Sequence, residues 1–125
     1  MTLDSNRKDQ HVDLAEKQYQ PADLSDFGKM RFVHHSRPNL KVADISLQTE
    51  MAGMSLAAPF YINGMTGGSE RTKQINADLA AVAKMTGLAM ASGSVSAALK
   101  DPSVSDSFSV IRKVNPNGQI FANIG

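Results

Sequence analysis

The sequence predicts an α/β protein built on a parallel sheet, and two observations carry that reading. Residues 59–125 alternate short apolar runs with stretches of helical period, in the order strand, helix, strand, helix, strand, an order that argues for parallel strands joined by right-handed crossovers. Of the 125 residues, 42% are hydrophobic and 20% charged, proportions that exclude a disordered, collagen-like or coiled-coil chain and allow a substantial core.

Charge and cysteine content narrow the function classes. Thirteen basic residues against twelve acidic ones leave a net charge of +1, with no basic excess for a nucleic acid or membrane partner. The chain has no cysteine, so disulfides, thiolate catalysis and thiolate metal sites are out. The first twenty residues are polar and lack the apolar core of a targeting signal. The apolar stretch 56–62 is too short to span a bilayer and contains Pro59. The expectation is a soluble cytoplasmic protein.

Residues 1–20 are predicted to form a helix with a charged face, capped by Ser5 or Asp4, weakly apolar through Val12, Leu14 and Ala15, and stopped at Pro21. Residues 21–41 read as irregular, with Phe27, Met30, Phe32 and Val33 as apolar anchors. Runs at 42–47 and 54–56 suggest a hairpin with Ala52-Gly53 near its turn. Residues 1–58 are therefore expected to be an N-terminal extension of the sheet domain at 59–125.

Within that domain, residues 60–63 form the first strand, with Pro59 at its entry. Gly64-Met65-Thr66-Gly67-Gly68 is a loop, and Ser69 caps a helix with Glu70 in its first turn. Ile75, Leu79, Val82 and Thr86 recur at helical spacing, and Gly87 is a natural C′ residue. Residues 88–91 make a second strand ending in Ser92-Gly93-Ser94. Ser105 is expected to cap the next helix, with Phe108, Ile111 and Val114 on one side. Asn115-Pro116-Asn117-Gly118 is a turn, and residues 119–123 form the third strand. Three parallel strands without a fourth leave an open edge, so the fold is expected to be incomplete at Gly125 and to continue in a longer protein.

Parallel α/β sheets bind ligands at the carboxyl ends of their strands. Here those ends are Asn63-Gly64-Met65-Thr66-Gly67-Gly68, Ser92-Gly93-Ser94 and Asn123-Ile124-Gly125. Each combines glycine, which admits close approach to the backbone, with a hydrogen-bonding side chain. One such loop is generic; three on one rim point to a planar ligand. The spacing fits neither a P-loop nor a dinucleotide fingerprint. Arg7, Lys8 and His11 share a helical face. They read as a solvated helix end or as donors for a diphosphate. His34-His35 diverge in an extended segment and read as ordinary loop residues. No close carboxylate pair or nucleophile–base set is evident. The residues alone reach part of an α/β ligand-binding protein.

Five segments together resemble a known family: Arg7-Lys8-Asp9-Gln10-His11, Phe32-Val33-His34-His35-Ser36, Pro59-Phe60-Tyr61-Ile62-Asn63-Gly64-Met65-Thr66-Gly67-Gly68-Ser69, Ala97-Ala98-Leu99-Lys100-Asp101-Pro102 and residues 116–125. In this order they resemble the type 2 isopentenyl-diphosphate Δ-isomerases, FMN-dependent TIM-barrel enzymes. The resemblance implies the N-terminal part of a (β/α)8 barrel preceded by a helical and irregular extension. It implies interconversion of isopentenyl and dimethylallyl diphosphates in isoprenoid biosynthesis, with reduced FMN as the acid–base cofactor, NADPH to reduce it and Mg²⁺ to help hold the diphosphate. By the same resemblance Arg7 and Lys8 would grip the diphosphate with His11 alongside. Ser94, Val95 and Ser96 would border the substrate, and Gly64, Met65, Thr66, Ser94 and Asn123 would line the flavin. No metal ligand or catalytic side chain is assigned among these residues. The 125-residue chain is expected to be inactive alone, and the full-length protein to form homo-oligomers. Many relatives carry Ala where Gly64 stands, which reads as a mild difference in loop flexibility. Many relatives carry Gln or an Arg-bearing tripeptide after the serine matching Ser94, where Val95 and Ser96 follow here. Another FMN-binding TIM-barrel oxidoreductase and a non-enzymatic truncated α/β module are the alternatives.

Overall fold

The computed structural model describes residues 3–21, 25–37 and 39–125, and side chains in the first helix from Arg7 onward. In chain order the elements are α1 (Leu3–Gln18), β1 (Thr49–Met51), β2 (Met54–Leu56), α2 (Glu70–Thr86), β3 (Met90–Ser94), α3 (Ser96–Lys100), α4 (Asp106–Val114) and β4 (Ile120–Asn123). Single 3-10 turns occur at Asp26–Lys29, Val42–Asp44 and Pro102–Val104.

Two of the three expected strands form a parallel ladder. β3 pairs in parallel with β4, Met90 opposite Ile120 and Ala91 opposite Phe121. The first expected strand survives as one bridge, Ile62 opposite Met90, held by Ile62 N to Ala89 O at 3.0 Å and Ala91 N to Ile62 O at 2.8 Å. Beyond Ala91 the register shifts, so that Ser94 comes opposite Asn123. β3 thus runs past residue 91 and carries Ser92-Gly93-Ser94 within the strand, where a terminal loop was expected.

Met90 and Ile111 meet Ala80 and Ala83 in the core, with Ile62, Leu79, Val110, Val114 and Ile120 packed around them. The buried stripe of α2 is Thr72, Asn76, Ala80 and Ala83, which corrects the expected Ile75, Leu79, Val82 and Thr86. Val82 is 47% exposed, and Thr86 is exposed while Ile75 and Leu79 are half-buried. Small side chains let α2 approach α4 and the sheet closely, so closeness of approach outranks hydrophobicity in choosing the inner face.

The ends of α2 follow local rules. Ser69 is extended, and its side chain accepts from Thr72 N, while Thr72 Oγ1 accepts from Ser69 N in return. Gly87 closes the helix at φ 71°, a left-handed conformation that suits glycine. Ser69→Ala removes the Oγ acceptor and should lower unfolding free energy by about 1 kcal/mol, read from the denaturant midpoint. Ser105, by contrast, makes no side-chain cap. The chain enters α4 directly from the Pro102–Val104 turn, leaving Ser105 helical at φ −56° and ψ −33°. The side-chain cap sits earlier, where Asp101 Oδ1 accepts from Ser103 N at 3.0 Å. α3 was not anticipated.

In the extension, α1 begins at Leu3, so Asp4 and Ser5 lie within the helix instead of before it, and their side chains are outside the described residues. Val42–Asp44 is a 3-10 turn, which displaces the expected first hairpin strand to Thr49–Met51. The register pairs Met51 with Met54, so Ala52-Gly53 form a two-residue turn, with φ of 50° and 75°, the sign a tight hairpin requires. The hairpin joins the sheet domain through Gln119 Nε2, which donates to Ser55 O at 2.7 Å.

Candidate functional site

The loop after the first bridge strand lies flat against the end of β3. A Cβ built on Gly64 would overlap Ser92 O and sit 2.5 Å from Ser92 C. One built on Gly93 would overlap Thr66 O and sit 2.7 Å from Thr66 C. Each glycine thus faces the backbone of the segment that holds the other. Gly64 acts as a contact residue, which corrects the expectation that a methyl there matters only for loop flexibility. Gly67 meets the Phe108 ring.

Buried side chains fasten this loop from below. Asn76, 2% exposed, accepts from Thr66 Oγ1 at 2.8 Å. Its Nδ2 donates to Thr66 O at 3.3 Å and to Ser107 O at 2.8 Å. Ser107 Oγ accepts from Gly68 N at 2.7 Å and donates to Val104 O at 2.6 Å. Thr66 therefore spends its hydroxyl proton inward on Asn76. Met65 points outward, 75% exposed. Sequence reasoning missed Asn76 and Ser107, and read Phe108 only as part of the apolar side of its helix. The available signal was the run of small and polar residues at 72, 76, 80 and 83, spaced to share one helical face.

Ser94, Val95, Ser96 and Asn123 converge at the ends of β3 and β4. Ser94 Oγ and Ser96 Oγ are 2.8 Å apart. Val95 N donates to Asn123 O at 2.9 Å, and Asn123 Oδ1 accepts from Gly125 N at 3.0 Å. Asn123 N reaches the buried Ser92 Oγ at 3.3 Å. Nearby, the Tyr61 and Phe121 rings meet edge-on at 5.3 Å. By strand alternation they project from the side opposite Ile62 and Ile120, away from α2 and α4.

α1 completes the rim through its acidic stripe. Asp9 Oδ1 accepts from Ser69 Oγ at 2.5 Å, at the N-terminus of α2, where a carboxylate also suits the helix dipole. Arg71 pairs with Asp13 at 2.5 Å and with Glu16 at 3.1 Å. The hydrogen bond from Arg71 holds the Asp13 carboxyl below its ordinary value. These contacts bring Lys8 to the glycine loop. A Cβ built on Gly68 would sit 3.5 Å from Ala97 Cβ and 3.9 Å from Lys8 Cγ. Lys8 is half-buried, while Arg7 and His11 are exposed.

Among the described residues, no group of three His, Asp or Glu side chains could hold a metal ion, and no helix is long and apolar enough to cross a membrane. His34 and His35 are exposed.

No protein-family model matches the chain. Curated relatives do. An isopentenyl-diphosphate delta-isomerase of Latilactobacillus sakei is 55% identical over 124 residues, 99% of this chain and 36% of the relative. Proteins of the same name from two Staphylococcus aureus strains are each 54% identical over 119 residues, 95% of this chain and 34% of theirs. The chain spans about a third of the length of these relatives. Over nearly all of its own length, rim and cationic helix included, it is similar to proteins named isopentenyl-diphosphate delta-isomerase.

Proposed function

We propose that these residues form the first part of an FMN-dependent, type 2 isopentenyl-diphosphate isomerase on a TIM barrel, and that they build one side of its substrate and flavin site. The observation that carries the reading is the position of Lys8 against Gly68, in the loop that packs through Gly64 and Thr66 on the end of β3. Identity of 54–55% with proteins named isopentenyl-diphosphate delta-isomerase supports the isomerase part of it. The barrel reading draws on two further features. Both crossover helices pack on the Met90 side of the sheet, and Tyr61 and Phe121 occupy the other side, as residues lining a barrel interior would.

The rim fits a flavin by the chemistry of its donors. Hydroxyls of Ser94 and Ser96, the Asn123 side chain and the outward Met65 sit where Gly64 and Gly93 let the loop pack closely on the end of β3. Gly64, Met65, Thr66, Ser94 and Asn123 would hold the flavin. Arg7 and Lys8 bind the diphosphate with His11 alongside, fixing the alkene over the rim, and Val95 and Ser96 border it. The Asn76 network holds the loop still, so the substrate is oriented by a fixed surface. Reduced FMN supplies the proton donor and acceptor, and NADPH the electrons that reduce it. No residue here is assigned to Mg²⁺, because the described side chains offer no cage for it.

In the full chain, Lys8→Ala and Arg7→Ala should each raise KM for the diphosphate substrate about tenfold or more, the cost of one charge-assisted bond. Flavin absorbance should persist. Unchanged diphosphate affinity in both variants would reject this assignment in favour of another FMN-barrel activity.

A further inference from the structure

α1 has little apolar reason to sit where it does. Leu14 is 51% exposed, and Val12 is only half-buried. Polar contacts join α1 to α2 and its cap: Asp9 to Ser69, and Asp13 and Glu16 to Arg71. Positions 9, 13 and 16 fall at i, i+4 and i+7 and form one narrow stripe. At 100° per residue, Lys8 lies about a quarter turn from Asp9, and Arg7 and His11 lie on the far side. Turning the acidic stripe onto α2 therefore fixes how far the helix is rotated. That rotation sets Lys8 on Gly68 and leaves the face of Arg7 and His11 outward.

We propose that Asp9, Asp13 and Glu16 of α1, with Ser69 and Arg71 of α2, are positioning residues that set the rotation of α1 and thereby the affinity of its cationic face for a diphosphate. This rests on the reading that Arg7 and Lys8 hold such a group. The acidic residues do not touch the ligand. They act through Lys8, by holding its stem against the Gly64–Gly68 loop. Individual surface ion pairs contribute little to global stability, so the effect of breaking them should appear in ligand affinity and not in unfolding.

The test uses two readouts on the full chain. The residues here include no cysteine, so Gln10→Cys and Gln74→Cys, both at exposed positions, give spin-label sites on α1 and α2. Arg71→Asp should broaden their distance distribution and weaken binding of inorganic pyrophosphate about fivefold, leaving the denaturant midpoint of the sheet domain unmoved. Adding Asp13→Arg should narrow the distribution and recover most of the affinity, because the pair is restored with its charges exchanged. An unchanged distance distribution in Arg71→Asp overturns the proposal. So does a broadened distribution with undiminished pyrophosphate binding. If the unsubstituted chain does not bind pyrophosphate, the functional reading fails and the ligand role falls with it. The label distances still show separately whether the acidic stripe fixes the helix.

Discussion

Gly93→Ala is expected to lower the unfolding free energy by about 3 kcal/mol or more, a large effect for one added methyl. The new Cβ would overlap Thr66 O and lie 2.7 Å from Thr66 C and 3.0 Å from Thr66 N. All three neighbours are backbone, so no rotamer change relieves them. β3 and the Gly64–Gly68 loop must separate, and the loop is tied from below by Asn76 and Ser107. Gly28→Ala is the control, since a Cβ there meets nothing within 4 Å, and it should change stability by no more than about 0.5 kcal/mol. Denaturant unfolding of both variants checks the claim. A Gly93→Ala midpoint equal to that of Gly28→Ala would show that the strand ends are looser than described.

Asn76→Asp should cost about 2–4 kcal/mol although its shape is nearly unchanged. The Asn76 amide donates to Thr66 O and Ser107 O, and its Oδ1 accepts from Thr66 Oγ1. An aspartate keeps the accepting oxygen and turns the donor into a second oxygen facing two carbonyls. With the side chain 2% exposed, water cannot repair the loss. Amide exchange gives the local reading. The amide of Gly68, which donates to Ser107 Oγ, should lose protection, while the amides of Met90 and Ala91 in the sheet should keep theirs. Equal stability to the unsubstituted protein, or loss of protection at Met90 first, would remove Asn76 from its role as anchor of the rim.

Both predictions concern residues that bind no ligand in the proposed site. Gly93 lets the Gly64–Gly68 loop pack on β3, and Asn76 holds it there. Lys8, Ser94 and Asn123 can orient a substrate only on that surface. Much of the rim was legible from sequence, because glycine beside Ser, Thr or Asn at a strand end is a local pattern. The cationic helix face was legible too, as a spacing. Its attachment was not. Asp9 and Ser69 are sixty residues apart in the chain, and nothing in either neighbourhood points to the other.

The sequence by itself determined the features that depend on near neighbours. It specified the Ser69 cap and the Gly87 stop of α2, the Ala52-Gly53 turn, the helix ending before Pro21 and the parallel order of the strands. Capping bonds, left-handed turns and side-chain period act over a few residues, so they leave marks in the sequence. Only the tertiary structure decided which face of α2 is buried, how far β3 runs beyond Ala91, and how α1 is rotated. Those outcomes depend on what stands opposite. Ala80 and Ala83 win the inner face because α4 and the sheet come close, and α1 turns its acids inward because Ser69 and Arg71 await them. The same residues facing other partners would have packed differently.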